Sequence, residues 1–302
     1  MDVSTLFRVD GMVAVVTGGG TGIGLTMAKA LASAGARVYI LGRRASVLEE
    51  AAAAAAAASS HASLIPLQCD VTSKTSLQSA VDTIAGGAGH VNLLVANAGV
   101  LGPHKPFDET LSVAALRRRL FDEVDAAAFT ATMHVNATGA FLTILAFLEL
   151  LDAGNRNALA GGFGAPAREG GRVPLVQSQV VVTSSVGAYS RQKAGPPAYV
   201  ASKAAVSHLA QCAATNLAPY QIRVNTLAPG YFMSEMAQSA METRDPETEG
   251  LDHPDFMPAR RFGTDEEIAG TILYLASRAG SYCNGTVLTF DGGRLAVVPS
   301  SC

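Results

Sequence analysis

A tyrosine and a lysine four residues apart are the first candidates for chemistry in this sequence. Tyr199 and Lys203 lie in a segment of helical character, where residues at this spacing share one face. A lysine ammonium beside a phenol favours the phenolate and lowers the tyrosine pKa from about 10 toward neutrality. Such a phenol can protonate a carbonyl oxygen or take a proton from an alcohol. Taken alone, the pair is more typical of an exposed surface, so its surroundings decide its meaning.

A serine hydroxyl is expected near this tyrosine. Ser185 directly follows the predicted strand Gln179–Ser184, and ligands of open α/β sheets bind at the carboxyl ends of the strands. A hydroxyl at that edge can donate a hydrogen bond to a substrate oxygen as negative charge develops there. The neighbouring Ser184 is the competing candidate for the same role.

A glycine-rich turn near the start of the chain predicts a phosphate site. The predicted strand Met12–Thr17 runs into the turn Gly18–Gly24, and a helix follows. Glycine lets the backbone approach a pyrophosphate, and the free N–H groups of a helix N-terminus attract negative charge. The strand–turn–helix setting favours dinucleotide binding over a turn that needs glycine for steric reasons only.

These residues are expected to be positioned by a parallel sheet with helical crossovers. The predicted strands are nearly continuous apolar runs, typical of strands buried on both faces. Their alternation with helices predicts an α/β fold, a doubly wound parallel β-sheet flanked by helices. The strands are Met12–Thr17, Arg37–Leu41, Leu64–Gln68, Asn92–Ala96, Gln179–Ser184, Ile222–Leu227 and Thr286–Phe290. The helices are Gly22–Ala34, Ala45–Ser60, Lys74–Ala85, Ala126–Leu151, Tyr199–Leu217 and Asp265–Ser277.

One domain over residues 1–302 is expected, because no linker or internal repeat is visible. Two segments interrupt the strand–helix alternation and are predicted as inserted surface loops, Gly102–Asp125 and Asp152–Arg172. The alanine run Ala51–Ala58 predicts a helix. The arginine triplet Arg117–Arg119 is more typical of a solvated helix face than of an anion site.

Composition excludes several other classes of protein. The 302 residues are 49% hydrophobic and 16% charged with a net charge of −3, which argues against disorder and against nucleic-acid binding. The longest apolar helical stretch, Ala140–Leu148, is shorter than the ~20 residues that a bilayer requires. Four cysteines and six histidines show no disulfide or metal-ligand spacing. We therefore expect a cytoplasmic protein that needs no membrane, metal or nucleic acid.

The ordered set of motifs resembles the short-chain dehydrogenase/reductase family over about residues 10–293. The family's glycine turn reads T-G-x-x-x-G-x-G, as Thr17–Gly24 does here. The resemblance implies a Rossmann fold and an oxidoreductase that uses NAD(P). The other motifs are Asp70-Val71, Asn97-Ala98-Gly99, Asn136, Ser185, Tyr199-x-x-x-Lys203, Arg223-Val224-Asn225, Pro229-Gly230 and Asp291-Gly292-Gly293.

The resemblance also implies roles for four catalytic residues. Tyr199 exchanges the proton with the substrate oxygen, and Lys203 contacts the nicotinamide ribose. Asn136 holds a water that links to Lys203 in a proton relay. The family's Ser-Ser-Val pattern matches the second serine better, which favours Ser185 over Ser184 as the residue that orients the carbonyl.

Cofactor contacts follow from the same resemblance. At the end of the second strand, Gly42 stands where NAD-preferring members carry aspartate, and Arg43 can pair with a 2′-phosphate. NADP(H) is therefore favoured, although Thr21 stands where many NADP-preferring relatives have Lys or Arg, and NAD(H) remains possible. The expected cofactor-binding residues are Gly18, Gly20, Thr21, Gly22, Ile23, Gly24, Arg43, Asp70, Val71, Asn97, Ala98, Gly99, Tyr199, Lys203, Pro229, Gly230, Phe232 and Ser234.

The expected substrate is a medium-sized, largely apolar ketone or its secondary alcohol, as in specialised metabolism. By resemblance, residues 231–262 form a lid. The alternatives are a 3-oxoacyl thioester reductase and a non-catalytic nucleotide-binding scaffold or regulator. A homodimer or homotetramer is expected, because family members associate through the helices corresponding to Ala126–Leu151 and Tyr199–Leu217. Residues that line an apolar pocket, or else pack the lid onto the core, are Tyr189, Tyr231, Phe232, Met233, Met236 and Met257.

Overall fold

A seven-stranded parallel sheet forms the centre of the structure. The computed structural model describes residues 5–58, 63–105, 107–192 and 195–301. The strands are β1 (Val13–Thr17), β2 (Arg37–Gly42), β3 (Ser63–Gln68), β4 (Leu93–Ala96), β5 (Gln179–Thr183), β6 (Arg223–Pro229) and β7 (Val287–Phe290). Their order is β3-β2-β1-β4-β5-β6-β7, and every neighbouring pair is parallel. The order reverses between β1 and β4, and this reversal opens a crevice at the carboxyl ends of the strands.

Helices cover both faces of this sheet. They are α1 (Gly22–Ser33), α2 (Ala45–Ala58), α3 (Lys74–Gly87), α4 (Val113–Arg117), α5 (Ala126–Met133), α6 (Ala140–Ala146), α7 (Leu148–Leu159), α8 (Pro197–Leu217), α9 (Gln238–Met241) and α10 (Asp265–Ala276). Helices α1, α2 and α10 pack on one face, and α3, α6, α7 and α8 pack on the other. Along β1, Ala14 and Val16 face the first layer while Val13 and Val15 face the second. The predicted doubly wound parallel sheet is therefore confirmed.

The predicted helix Ala126–Leu151 is wrong as a single element. After α5 the chain makes a π-helical turn at His134–Gly139, continues as α6, and breaks at the fully buried Phe147. Within the described ranges, no unbroken helix is long and apolar enough to span a membrane. One pair of consecutive helical segments, Ala126–Ala146 and Leu148–Leu159, is long and apolar enough when the two are taken together, but the chain bends by 47° between them.

The predicted loop Asp152–Arg172 is also wrong over its first third, because α7 runs on to Leu159. Gly154 and Asn155 of α7 make contacts with the neighbouring strands and loops. A Cβ on Gly154 would lie 2.3 Å from the Val91 carbonyl oxygen, so glycine lets α7 approach the sheet closely. The Asn155 side chain accepts a hydrogen bond from the Ser178 amide and donates one to the Gln221 carbonyl. A composition typical of loops here belongs to a buried helix face.

The insertion Gly102–Asp125 contains α4 and a π-helical turn at Arg118–Asp122. Two of its arginines pair with nearby carboxylates, Arg117 with Asp122 and Arg119 with Asp108. The alanine run lies in α2 as predicted. Ser59 and Ser60, at the end of the predicted second helix, lie outside the described residues.

Candidate active site

The glycine turn between β1 and α1 has the shape that an anion requires. Gly18 and Gly22 have φ values of 64° and 51°, which side chains disfavour. A Cβ on Gly24 would lie 2.2 Å from the Gly18 carbonyl oxygen, so this position also needs glycine. The Thr21 side chain caps none of the first N–H groups of α1, which leaves them to a phosphate. The other predicted positions of this turn are Gly20 and Ile23.

The carboxyl end of β4 braces this turn. The amides of Asn97 and Ala98 donate to the Thr17 hydroxyl at 2.9 and 3.1 Å. The Asn97 side-chain amide donates to the Thr17 carbonyl at 3.0 Å. These bonds fix the nucleotide turn against the strand that leads to the predicted proton-transfer residues.

Gly99 lies where the predicted cofactor wall meets the predicted catalytic residues. A Cβ at Gly99 would be 3.2 Å from Asn136 Oδ1 and 3.5 Å from Lys203 Nζ. Asn136 Oδ1 accepts from the Val100 amide at 2.8 Å, and its Nδ2 donates to the Val100 carbonyl and to Ser202 Oγ, both at 2.9 Å. Asn136 belongs to the π-helical turn after α5, a feature often found at functional sites.

Lys203 is buried on α8 with 4% of its surface exposed. Its Nζ donates to the Thr183 carbonyl at 2.8 Å and lies 5.6 Å from the centre of the Tyr199 ring. Burial disfavours the ammonium and lowers the pKa of Lys203 to about 8. The lysine can therefore gain and lose a proton near neutral pH.

Tyr199 differs from the sequence expectation. We expected Lys203 to lower its pKa, but in the structure burial raises the pKa of the phenol above its ordinary value. A hydrogen bond with Ser185 opposes this rise, and the nearby Tyr231 adds to it. The Lys203 ammonium donates its hydrogen bond to the Thr183 carbonyl. Burial therefore has the largest influence on the pKa of the Tyr199 phenol. Tyr199 is thus a protonated acid at neutral pH.

The two adjacent serines face different partners. Ser184 is buried, donates to the Lys203 carbonyl at 2.9 Å, and shares a 2.6 Å hydrogen bond with Ser207. Ser185 is partly exposed and interacts with the Tyr199 phenol. The structure therefore brings Ser185, and not Ser184, to the phenol.

The other end of the crevice is formed by β2 and β3. Gly42 ends β2, and the exposed Arg43 follows it. Asp70 follows β3, and hydrogen bonds from Thr72 lower the pKa of its carboxyl group, with a smaller contribution from the charge of Arg43. The buried Val71 comes next, so these predicted cofactor residues share one edge of the sheet.

The segment after β6 reaches from the substrate side back to the nucleotide turn. The amide of Gly230, which follows the strand-ending Pro229, donates to the Phe290 carbonyl. Ser234 packs against the turn, since its Cβ would lie 3.0 Å from a Cβ on Gly22. Phe232, a predicted cofactor-binding residue, is 4% exposed, and its ring packs 5.2 Å from the ring of Phe290.

Some of the candidate pocket residues are buried in the structure and others are exposed. Phe232 and Met257 are buried and pack the lid onto the core, whereas 62% of Met233 is exposed. Tyr231 is partly exposed and belongs to the surroundings of Tyr199. The alternative that lid residues pack onto the core therefore holds for Phe232 and Met257.

Sequence reasoning missed two arginines beside Tyr231, the buried Arg294 and the partly buried Arg244. The guanidinium carbons of Arg244 and Arg294 each lie 5.0 Å from the centre of the Tyr231 ring. Their side chains are only 9% and 4% exposed. Arg294 directly follows the Asp291-Gly292-Gly293 motif, and this position was the only signal that the sequence offered for it.

Comparison with known proteins agrees with this arrangement. The profile described as short chain dehydrogenase matches residues 12–161, and the profile described as enoyl-(acyl carrier protein) reductase matches residues 160–294. The chain is 59% identical to the short-chain dehydrogenase/reductase SAT3 of Stachybotrys chartarum, over 91% of this chain and 99% of that protein.

Solved structures show the same fold. The Pseudomonas aeruginosa RhlG/NADP active-site complex is 27% identical, with a TM-score of 0.76 over 95% of this chain and 98% of that one. A 7α-hydroxysteroid dehydrogenase complexed with NADH and 7-oxo glycochenodeoxycholic acid is 28% identical, with a TM-score of 0.76 over 97% and 98%. With its motifs, fold and relatives in agreement, the chain belongs to the short-chain dehydrogenase/reductase family of oxidoreductases.

Proposed function

We propose that this protein is an NADP(H)-dependent oxidoreductase that interconverts a ketone and a secondary alcohol on a medium-sized, largely apolar substrate. The observation that carries the proposal is that Ser185 and Tyr199 lie beside each other at the carboxyl edge of the sheet, since a Cβ on Gly187 would be 3.4 Å from Ser185 Oγ and 3.8 Å from Tyr199 Cε1. Lys203 and Asn136 lie beside Gly99 at the same edge. A protein that only binds nucleotides needs the glycine turn but not this set of proton donors.

The roles of the catalytic residues follow from their protonation and position. Ser185 donates a hydrogen bond to the substrate carbonyl, where negative charge develops during reduction. Tyr199, protonated at neutral pH because burial raises its pKa, donates the proton to that oxygen. Lys203 replenishes the phenol through the relay that includes Asn136. When bound, the reduced nicotinamide supplies the hydride.

The preference for NADP(H) is supported at the end of β2. Gly42 offers no carboxylate that would bind the 2′-hydroxyl of NAD or repel the 2′-phosphate of NADP. Arg43 is exposed there, and its charge reaches Asp70 on the neighbouring strand end. RhlG was solved with NADP and the hydroxysteroid dehydrogenase with NADH, so these neighbours are compatible with either nucleotide and the preference is proposed from the residues at the end of β2.

A homodimer or homotetramer is proposed for the assembled state. Phe141 and Leu145 lie one turn apart on α6, and 41% and 46% of their surfaces are exposed. Such apolar side chains on a helix face are suited to a second copy of the chain. Light scattering at micromolar concentration tests this, and a monomer would contradict it.

The activity is tested by following oxidation of NADPH and NADH by the purified protein. The panel contains ketones, cyclic diketones, quinones and 3-oxoacyl thioesters, so it separates the ketone reductase from the 3-oxoacyl thioester reductase. Tyr199→Phe is the control, because it removes the transferable proton and keeps the ring. We expect turnover with NADPH that disappears in this variant. Tight NADPH binding without turnover on any class would favour a scaffold or regulator instead.

A further inference from the structure

One buried arginine joins three segments that surround the substrate side of the site. Arg294 Nη1 donates to the Asp255 carbonyl at 2.6 Å, and Nη2 donates to Asp255 Oδ1 at 2.5 Å and to Gln192 Oε1. Asp255 belongs to the lid, while Gln192 belongs to the stretch between Ser185 and Tyr199. A guanidinium is suited to this because its donors point in several fixed directions.

A second arginine closes the same network from within the lid. Arg244 forms a bidentate ion pair with Glu249 at 2.8 and 2.9 Å, and its Nη2 also donates to the Asp255 carbonyl at 2.7 Å. The Asp255 carbonyl thus accepts hydrogen bonds from both Arg244 and Arg294. In the lid, the Pro254 carbonyl also accepts a hydrogen bond from the Gln192 side chain.

Both guanidinium groups also contact the ring of Tyr231. Their carbons are each 5.0 Å from its centre, within the range of a cation–π contact. Arg244 lies 5.6 Å from the ring of Phe262 as well, at the far end of the lid. Tyr231 directly follows the Pro229-Gly230 motif, so the two cations hold the ring with which the lid begins.

The chain segment after Arg294 strengthens the connection. Ser190 and Ser300 form an antiparallel bridge. The Arg191 amide donates to the Pro299 carbonyl and the Ser301 amide donates to the Tyr189 carbonyl, both at 2.8 Å. The stretch leading to Tyr199 is therefore held by the end of the chain as well as by the lid.

We propose that Arg294 is a positioning residue that sets the substrate pocket by holding the lid, the Tyr189–Gln192 stretch and the Tyr231 ring in one arrangement. This inference rests on the proposed function. Among the described residues, the side-chain hydrogen bonds of Arg294 go to Asp255 and Gln192 and not to a predicted cofactor-binding residue, so we expect Arg294 to affect affinity for the substrate and not for the nucleotide. Loss of the Arg294 guanidinium leaves the Asp255 carboxylate without this partner, and the lid then keeps the direct hydrogen bond between Gln192 and Pro254 but loses the bridge through Arg294.

The test compares Arg294→Gln and Arg294→Lys with a remote control, Arg156→Gln. Arg156 forms an exposed ion pair with Asp152 on α7, so its replacement removes an arginine–aspartate pair that lies outside the site. For the best ketone of the panel, we expect Arg294→Gln to raise KM roughly tenfold or more, with a smaller effect on kcat. Arg294→Lys keeps the charge without the fork and should recover part of this loss. The Kd of NADPH should stay within about twofold of the wild-type value.

Hydrogen–deuterium exchange of the NADPH complex provides a readout that needs no substrate. In Arg294→Gln we expect faster exchange in residues 244–257 and 189–192, while the glycine turn at 18–24 exchanges as in the wild type. An unchanged KM with unchanged exchange in the lid would overturn the proposal. So would a rise in the NADPH Kd that equals the rise in KM. If the wild type turns over no substrate, the proposed function fails separately, and unchanged lid exchange would still refute the role of Arg294.

Discussion

The Ser184 hydroxyl donates a hydrogen bond of 2.9 Å to the backbone carbonyl of Lys203. One residue earlier, at the last position of β5, the Thr183 carbonyl accepts a hydrogen bond of 2.8 Å from the Lys203 ammonium. The end of β5 therefore holds both the backbone and the side chain of the lysine. Because this occupies Ser184, it leaves Ser185 to interact with Tyr199.

Replacement of the two serines by alanine should separate these roles. Ser185→Ala removes the donor to the substrate oxygen and should lower kcat by about 10²-fold or more. It should also cost about 1 kcal/mol of unfolding free energy, because the Ser185 hydroxyl accepts a hydrogen bond from the Gly187 amide at 3.0 Å. Ser184→Ala should cost about 1 kcal/mol of unfolding free energy and keep most of the activity. Kinetics and chemical denaturation of both variants check this, and a larger loss of kcat in Ser184→Ala would reverse the assignment.

The pH dependence of catalysis should follow Lys203. Burial lowers its pKa to about 8, so the ammonium that replenishes Tyr199 is present below that pH and lost above it. We expect kcat/KM for ketone reduction to fall above pH 8 and that for alcohol oxidation to rise. Lys203→Arg, which stays charged, should remove the decline in any activity that it retains. A flat wild-type profile across pH 6.5–9.5 would contradict the relay.

The same buried lysine should lower the stability of the protein. The reduction of its pKa from 10.5 to about 8 corresponds to about 3 kcal/mol of burial cost for the ammonium at neutral pH. The folded state binds the proton less readily than the unfolded state, so stability should rise as pH increases from about 8 to 10.5.

Lys203→Met should remove both the burial cost and this pH dependence. We expect a thermal midpoint a few degrees higher at pH 7, since the lost bond to Thr183 offsets only about 1 kcal/mol, together with loss of activity. Lys29→Met, at an exposed position of α1, is the matched control and should change little. A lower midpoint for Lys203→Met at pH 7 would show that the lysine stabilises the fold.

Arg43 should control the choice of nucleotide. Arg43→Asp places a carboxylate where the 2′-phosphate of NADP would lie, so we expect strongly weakened NADPH binding and nearly unchanged NADH binding. Titration of each reduced nucleotide by its fluorescence measures both Kd values. Equal loss of both would show that Arg43 does not discriminate between them.

Most of the fold could be predicted from sequence because its strands are buried on both faces. The continuous apolar runs placed all seven strands to within two residues, as in Gln179–Thr183 against the predicted Gln179–Ser184. The part of α7 after Leu151 was missed because Gly154 and Asn155 resemble loop residues until their contacts with the sheet are known. Local composition does not show which side of a glycine faces another element.

The site was predictable only where its residues lie in motifs. Tyr199, Lys203 and the glycine turn have fixed spacings, so sequence reasoning could single them out. The rise of the Tyr199 pKa depends on burial by distant segments, and the Arg244–Arg294 arrangement joins residues 50 positions apart through Asp255. Neither effect has a counterpart in local sequence.

The predicted lid contacts the glycine turn, so we expect binding of the substrate and binding of the nucleotide to affect each other. Ser234 packs on Gly22, and the next residue, Glu235, forms an ion pair of 3.2 Å with Arg44 beyond the end of β2. The segment predicted to cover the substrate therefore also contacts residues at or beside the positions predicted to hold the nucleotide. Opening this segment for one ligand should also loosen the contacts around the other, so we expect the release rates of substrate and nucleotide to change together.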